Sequence, residues 1–320
     1  MFVIIDTEVI ILINNRTKDI LADILRVGEL GSRIICRPEL SAPWGLIFPT
    51  EDKANFHVIK KGSCLFYLNN KIKDPVTLHQ GDVLFIPKVN TYSIISSTGV
   101  RANHYLDEVK RSNNVKKDKT DTTTRMICGS YKLKSNMSIP FFSLLPGYIH
   151  LTSENLSQFP ELGQTVQMLI KEDYYAGIGS DLIIARVLDI LLVQIVRFWL
   201  SHCKTDSVGW LMATLHDELG KVLSLIHEQP EKKWTIDHLA KETAMSRTKL
   251  FNEFTKTVGI SPFQYLTNWR VELSKQLLTT TSSSILEIAN AVGYESEASF
   301  GRVFKKIEMT SPGKFRSTIK

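Results

Sequence analysis

Two short stretches of this chain carry side chains able to read the edge of a base pair. One holds Arg247, Thr248, Lys249, Phe251 and Asn252. The other holds Ser296, Glu297, Ala298, Ser299, Arg302, Lys305 and Lys306. An arginine such as Arg302 can grip guanine O6 and N7 with two parallel bonds, or clamp a phosphate. Lys305 and Lys306 suit phosphates, and would sit equally well on a solvated helix face. Glu297 can accept from cytosine, and Phe251 can lie on a thymine methyl or pack locally. This chemistry works only if each set stands on one exposed face of an element that fits a groove.

The elements that would hold them are legible as an internal repeat. Ile236, Leu239, Ala240 and Ala244 recur 49 residues later as Ile285, Ile288, Ala289 and Gly293. Leu250, Phe254, Ser261, Pro262 and Tyr265 recur 50 residues later as Phe300, Phe304, Ser311, Pro312 and Phe315. Repeats of this kind take precedence over any local reading. In the first copy Thr235 can cap a short helix to about Thr243, and Ser246 can cap a second helix from Arg247 to Val258 that ends before Gly259. Leu250 and Phe254 then face inward at i, i+4, leaving Thr248, Phe251, Asn252 and Thr255 outside. The second copy repeats the arrangement, with a turn at Gly293 and inward Phe300, Val303 and Phe304. Each copy reads as a helix-turn-helix, whose second helix enters a major groove. The units are expected at about 236–259 and 285–308.

Ser261-Pro262 between the copies is a helix start, with a capping serine and a proline in the first turn. A helix to about Leu278 spans roughly 27 Å, close to the ~34 Å between adjacent major-groove faces. The competing reading is an all-helical interaction domain without DNA. The tandem copy with both Ser-Pro starts favours DNA.

Bulk properties agree. The net charge is +6, divided evenly between residues 1–215 and 216–320, which permits nucleic-acid binding without demanding it. The four cysteines have no CxxC-like spacing, against a structural zinc site or a disulfide framework, and a reducing cytoplasm fits. The first 13 residues are apolar but carry Asp6 and Glu8, and read as a strand or an over-long start rather than a signal peptide. The run from Asp181 to Leu200 is interrupted by Asp181, Arg186, Asp189, Gln194 and Arg197. It reads as a buried amphipathic helix, with Leu188, Leu191, Leu192, Ile195, Val196 and Trp199 in one stripe, rather than a membrane span. That stripe must bury against a barrel, a sister helix or a second subunit.

Short apolar stretches separated by turn signals from about 30 to 105 predict a sandwich or barrel. Residues 107–125 hold only Val109 and Val115 as aliphatics and read as a loop.

Residues 218–318 resemble the AraC/XylS family of bacterial transcription regulators. WTIDHLAKETAMSRTKLFNEFTKTVGISPFQYLTNWRVELSKQLL and SILEIANAVGYESEASFGRVFKKIEMTSPGKFR carry the resemblance. It implies two helix-turn-helix units on one long helix binding consecutive major grooves, with Thr248, Phe251, Asn252, Glu297, Ala298, Ser299 and Arg302 facing bases. Phe251 departs from the family pattern, which usually has a polar residue there. The stretches SAPWGLIFP, FHVIKKGSCLFYL and PVTLHQGDVLFIPKVNTYSI resemble a cupin-type sensor domain. Metal-dependent cupins supply three His and a Glu. Here Tyr92 takes the final His position and Asn55 the Glu position, leaving His57 as the one plausible ligand, so neither metal nor cofactor is expected. Trp44, His57, Tyr67 and Tyr92 could line an effector pocket, although barrel aromatics are usually core. Cys36, Cys64 and Cys128 could sense oxidants, or serve as small buried hydrophobes.

The resulting expectation is an α+β chain. A cupin-like barrel over 20–152 and a helical dimerisation or packing segment over 153–202 come first. A linker over 203–215 follows, then an all-α DNA-binding domain over 218–318 with two helix-turn-helix units joined by a long helix. The function expected is a cytoplasmic, homodimeric, non-enzymatic transcription activator. It binds double-stranded promoter DNA, contacts RNA polymerase and answers to a small effector, with no membrane association. A cupin enzyme with a fused helical tail, and a pure scaffold, are the alternatives.

Overall fold

Short apolar stretches between turn signals form strands, and the computed structural model shows them through the first half of the chain. It describes residues 19–49, 53–68, 75–88, 91–114, 123–133, 141–203 and 209–319. These fall into two units. One comprises Leu30–Lys132 and Leu145–Leu200. The other takes the chain up to Glu29, then Leu133–Leu144, then Ser201 onward. The apolar first 13 residues lie outside the described residues.

The chain enters at helix α1 (Ile20–Val27) and then lays down β1 (Leu30–Cys36), β2 (Glu39–Ser41), β3 (Gly45–Pro49), β4 (Ala54–Lys61), β5 (Ser63–Leu68), β6 (Val76–His79), β7 (Val83–Ile86), β8 (Thr91–Ile95) and β9 (Asn103–His104). Helix α2 (Tyr105–Asn114), strand β10 (Thr123–Leu133) and strand β11 (Ile149–Leu151) complete the barrel. One sheet runs β1-β10-β4-β7-β11, with β2 also on β10; the other runs β6-β5-β8-β3-β9. Between them lies a core of Trp44, Leu46, Phe48, Ile59, Phe66, Leu84, Ile86, Tyr92, Ile94, Met126 and Cys128.

Strand β4 is buried on both faces over its first six residues, because its outer side is covered too. Helices α3 (Ser153–Gln158), α4 (Pro160–Tyr175) and α5 (Ser180–His202) supply that second layer. Tyr131 on β10 donates to the Leu188 carbonyl of α5 at 2.8 Å, and Ser32 on β1 donates to Asp189 at 2.8 Å. Arg37 and Lys60 both reach Asp173 of α4. Leu188, Leu191, Leu192, Ile195 and Val196 of the stripe are buried, so it packs on the barrel sheet.

Helices α6 (Trp210–Ala213), α7 (Asp217–Glu228), α8 (Ile236–Glu242), α9 (Arg247–Val258), α10 (Pro262–Thr280), α11 (Ile285–Ala291), α12 (Glu297–Glu308) and α13 (Pro312–Ile319) build the second unit. Aromatic packing repeats with the sequence. Phe254 meets Tyr265 edge-on at 6.0 Å, and their counterparts Phe304 and Phe315 do so at 5.5 Å. No described helix is long and apolar enough to cross a membrane.

Two expectations need correction. The polar stretch 107–125 is not all loop. Residues up to Asn114 are helical because Glu108, though buried, accepts from Asn103 at 3.0 Å and pairs with Arg111, and Ser112 ties the helix to the Glu39 carbonyl at 2.8 Å. The expected linker over 203–215 contains Trp210, Leu211, Met212 and Ala213, all buried as α6; residues 204–208 lie outside the described residues. Helix α1 belongs with the C-terminal unit, where its Asp23 meets His227 at 3.2 Å.

Candidate nucleic-acid interface

Each reading head is a pair of capped helices. Thr235 accepts from the His238 amide and Ser246 from the Lys249 amide, both at 3.2 Å. In the second unit Ser284 and Glu287 form a reciprocal capping box, and Ser296 accepts from the Ser299 amide at 3.2 Å. The Ser-x-x-Glu spacing of the box was visible in the sequence. Ser261 caps α10 in the same way. The 19 residues of α10 make a helix roughly 28 Å long joining the two heads.

The cores orient the outer faces. On α9, Leu250, Phe254 and Val258 are buried, and Arg247, Thr248, Lys249, Phe251 and Asn252 are exposed together. Phe251 leaves 43% of its surface in solvent. An aromatic ring so placed among polar groups is available to an apolar partner such as a thymine methyl. Arg247 is already engaged with Asp237 of α8, so within the fold it braces the head rather than standing free.

On α12, Phe300 and Phe304 are buried and Glu297, Ala298, Arg302, Lys305 and Lys306 are exposed. Ser296 and Ser299 differ from the expectation of open base readers. Their hydroxyls bond each other at 3.0 Å, Ser299 also donates to the Ser296 carbonyl at 2.9 Å, and Ser299 is half-buried. Both hydroxyls are spent on the helix start. Arg302 is the one exposed arginine of the second recognition helix.

The expected effector residues do not form one pocket. Trp44 and Tyr92 lie in the barrel core, and His57 Nε2 meets the Tyr92 hydroxyl at 2.6 Å. Burial holds the His57 pKa down to about 3 and pushes Tyr92 well up, so both are neutral at physiological pH. Trp44 Nε1 and His57 Nδ1 are buried without a hydrogen-bond partner. Tyr67 points the other way. With Ile47, Ser93, Ile95, Gly99, Val100 and Ala102 it lines a cavity of about 390 Å³ on the outer side of the five-stranded sheet.

Cys36 and Cys128 do come together, their thiols hydrogen-bonded. Burial raises Cys128 well above the ordinary thiol range, and burial with nearby Asp82 pushes Cys64 to about 12. A protonated thiol is a poor nucleophile, which favours a packing role. Among the described residues no group of three or more His, Cys, Asp or Glu could hold a metal ion.

Two family profiles match the chain. Residues 19–201 match a cupin profile and residues 239–318 a helix-turn-helix domain. An uncharacterised helix-turn-helix transcriptional regulator of Haemophilus influenzae is 28% identical over 94% of this chain and 99% of its own. The regulator AlkR of Acinetobacter baylyi is 29% identical, covering 85% of this chain and 90% of its own. The RCS-specific transcriptional activator RclR of Escherichia coli is 28% identical over 62% of this chain and 69% of its own. Two exposed, capped recognition helices behind a cupin barrel place the chain in the AraC/XylS family, as a DNA-binding transcription regulator with an N-terminal cupin domain.

Proposed function

We propose that this regulator is a homodimeric activator that holds promoter DNA with both heads, contacts RNA polymerase from there, and is switched by a small effector at its cupin domain. The observation that carries the DNA arm is the pair of exposed faces, Thr248-Phe251-Asn252 and Glu297-Arg302, on capped helices of one unit. Because the faces differ, the site is asymmetric. The name of the Escherichia coli relative, an activator, supports the sign of the response.

The barrel binds and does not catalyse. Asn55 and Tyr92 stand at two of the four cupin ligand positions, and His57 spends one nitrogen on Tyr92. Stoichiometric metal in the purified protein would overturn this. The unpartnered Trp44 Nε1 and His57 Nδ1 support an effector that brings hydrogen-bonding groups into the barrel. Self-association rests on the 153–202 helices, whose Met168, Leu182 and Ile190 are exposed. A cytoplasmic site of action follows from the DNA target.

Mapping bound genomic sites, with expression measured in a deletion strain, tests the whole reading. Bound promoters should lose expression on deletion. Promoter binding no tighter than to unrelated duplex removes the DNA arm. Fragment 1–205 sedimenting as a monomer at micromolar concentration removes the dimer.

A further inference from the structure

Arg270, on α10 between the two reading heads, is engaged on both sides. Its Nε donates to the Pro230 carbonyl at 2.6 Å and its guanidinium to the Lys232 carbonyl at 3.0 Å. Both carbonyls belong to the loop that leads into the first head. On the other side it hydrogen-bonds Tyr294 and lies over that ring at 5.4 Å. Tyr294 sits in the turn of the second head and packs against Phe300 of its recognition helix at 5.6 Å. Lys233 pairs with Glu295 across the same seam.

The repeat supplies an internal control. Ala244 and Gly293 occupy equivalent turns, and both adopt left-handed backbone, at φ +54° and +87°. The first turn carries a Cβ at its smaller φ. At Gly293 the larger φ disfavours a side chain, and the surroundings exclude it as well: a Cβ there would stand 2.5 Å from the Glu231 carbonyl and 2.7 Å from the Arg270 guanidinium. The second head is pressed against the loop of the first, and Arg270 lies in the seam.

We infer that Arg270 is a positioning residue. It fixes the second head against the first, and so sets how many base pairs the protein accepts between the two halves of its site. The inference rests on both heads reading DNA. One added base pair moves the second half by about 3.4 Å and about 35° around the duplex. A rigid two-headed reader cannot follow, and loses the second head's contribution to affinity. A lysine cannot replace the planar fork that serves two carbonyls and a ring at once.

The full-length protein is first used to select its site from random duplexes, and recovery of no preferred sequence refutes DNA reading and the inference with it. The selected site is then remade with one base pair added or removed between its halves. Wild type should lose about 100-fold in affinity at either altered spacing. Arg270→Gln should bind the selected spacing roughly tenfold more weakly and lose less than about 5-fold further on altering it. Arg270→Lys should behave like the glutamine variant. A merely structural role weakens binding by the same factor at every spacing, and that parallel profile overturns the inference. If Arg270→Gln does not fold, Gly293→Ala decides. Alanine there strains the turn, whose φ of +87° lies beyond the +54° of Ala244, and it also drives a Cβ into the seam. It should broaden or displace the spacing optimum, and an unchanged profile overturns the inference.

Discussion

At the residue scale, the side chains that matter are those whose polar groups the fold has not already used. Arg302 meets that condition and Ser296 and Ser299 do not, a distinction the sequence could not supply, since Ser-x-x-Ser reads equally as a cap or as a pair of base contacts. Arg302→Ala should weaken specific binding by about 1–3 kcal/mol and relax preference at one base pair. Titration of a promoter fragment measures it, and unchanged affinity removes Arg302 from the interface. His57 gives a second test. The folded protein holds its pKa at about 3, against an ordinary 6.5, because the charged ring is excluded from the barrel. The unfolded chain therefore binds the proton more readily. The stability tied to neutral His57 is intact above about pH 6.5 and drains away as pH falls toward 3, on the order of 5 kcal/mol in all. Denaturant melts of wild type and His57→Gln across that window should converge on acidification. Parallel curves would show that His57 does not control the loss.

At the element scale the C-terminal helices were the most legible part of the chain, because each boundary is marked by residues with one dominant local use. Ser246, Ser261 and Ser296 begin helices and Gly259 ends one. The apolar spacing between them fixes which face is buried. Helices α2 and α6 were missed for opposite reasons. Residues 105–114 have too few apolar side chains for a periodic signal and depend on a buried glutamate held by Asn103 of β9 and by Arg111 of the same helix. Residues 210–213 form one turn, too short for any period to show. The caps lend themselves to measurement. Ser246→Ala and Ser296→Ala should each cost about 1 kcal/mol of stability. Each should also weaken DNA binding, since the first turn of a recognition helix carries its base contacts. A variant that melts lower but binds as wild type would separate the cap from the reading face.

At the scale of the whole molecule, the two units were foreseen from the change in hydrophobic period, but the path between them was not. Helix α1 lies beyond the reach of the repeat and of any local spacing, because what holds it is a residue 204 positions away. His227 takes Asp23 on one ring nitrogen, the Tyr265 hydroxyl on the other at 2.9 Å, and stacks on Trp269 at 3.9 Å. Ile20, Ile24, Leu25 and Val27 are buried around the contact. The helix packs on α7 and α10, the latter joining the two heads. Two residues, Gly28 and Glu29, separate it from the first barrel strand. Asp23→Ala should lower the stability of the DNA-binding unit by about 1–3 kcal/mol, the range for removing one partner of a buried polar group. Hydrogen exchange locates the effect: amides of α7 and α10 should lose protection while those of β4 and β7 keep theirs. Uniform loss across both units would make Asp23 a general stability residue, and unchanged protection in α7 would show that α1 is not part of the DNA-binding unit in solution.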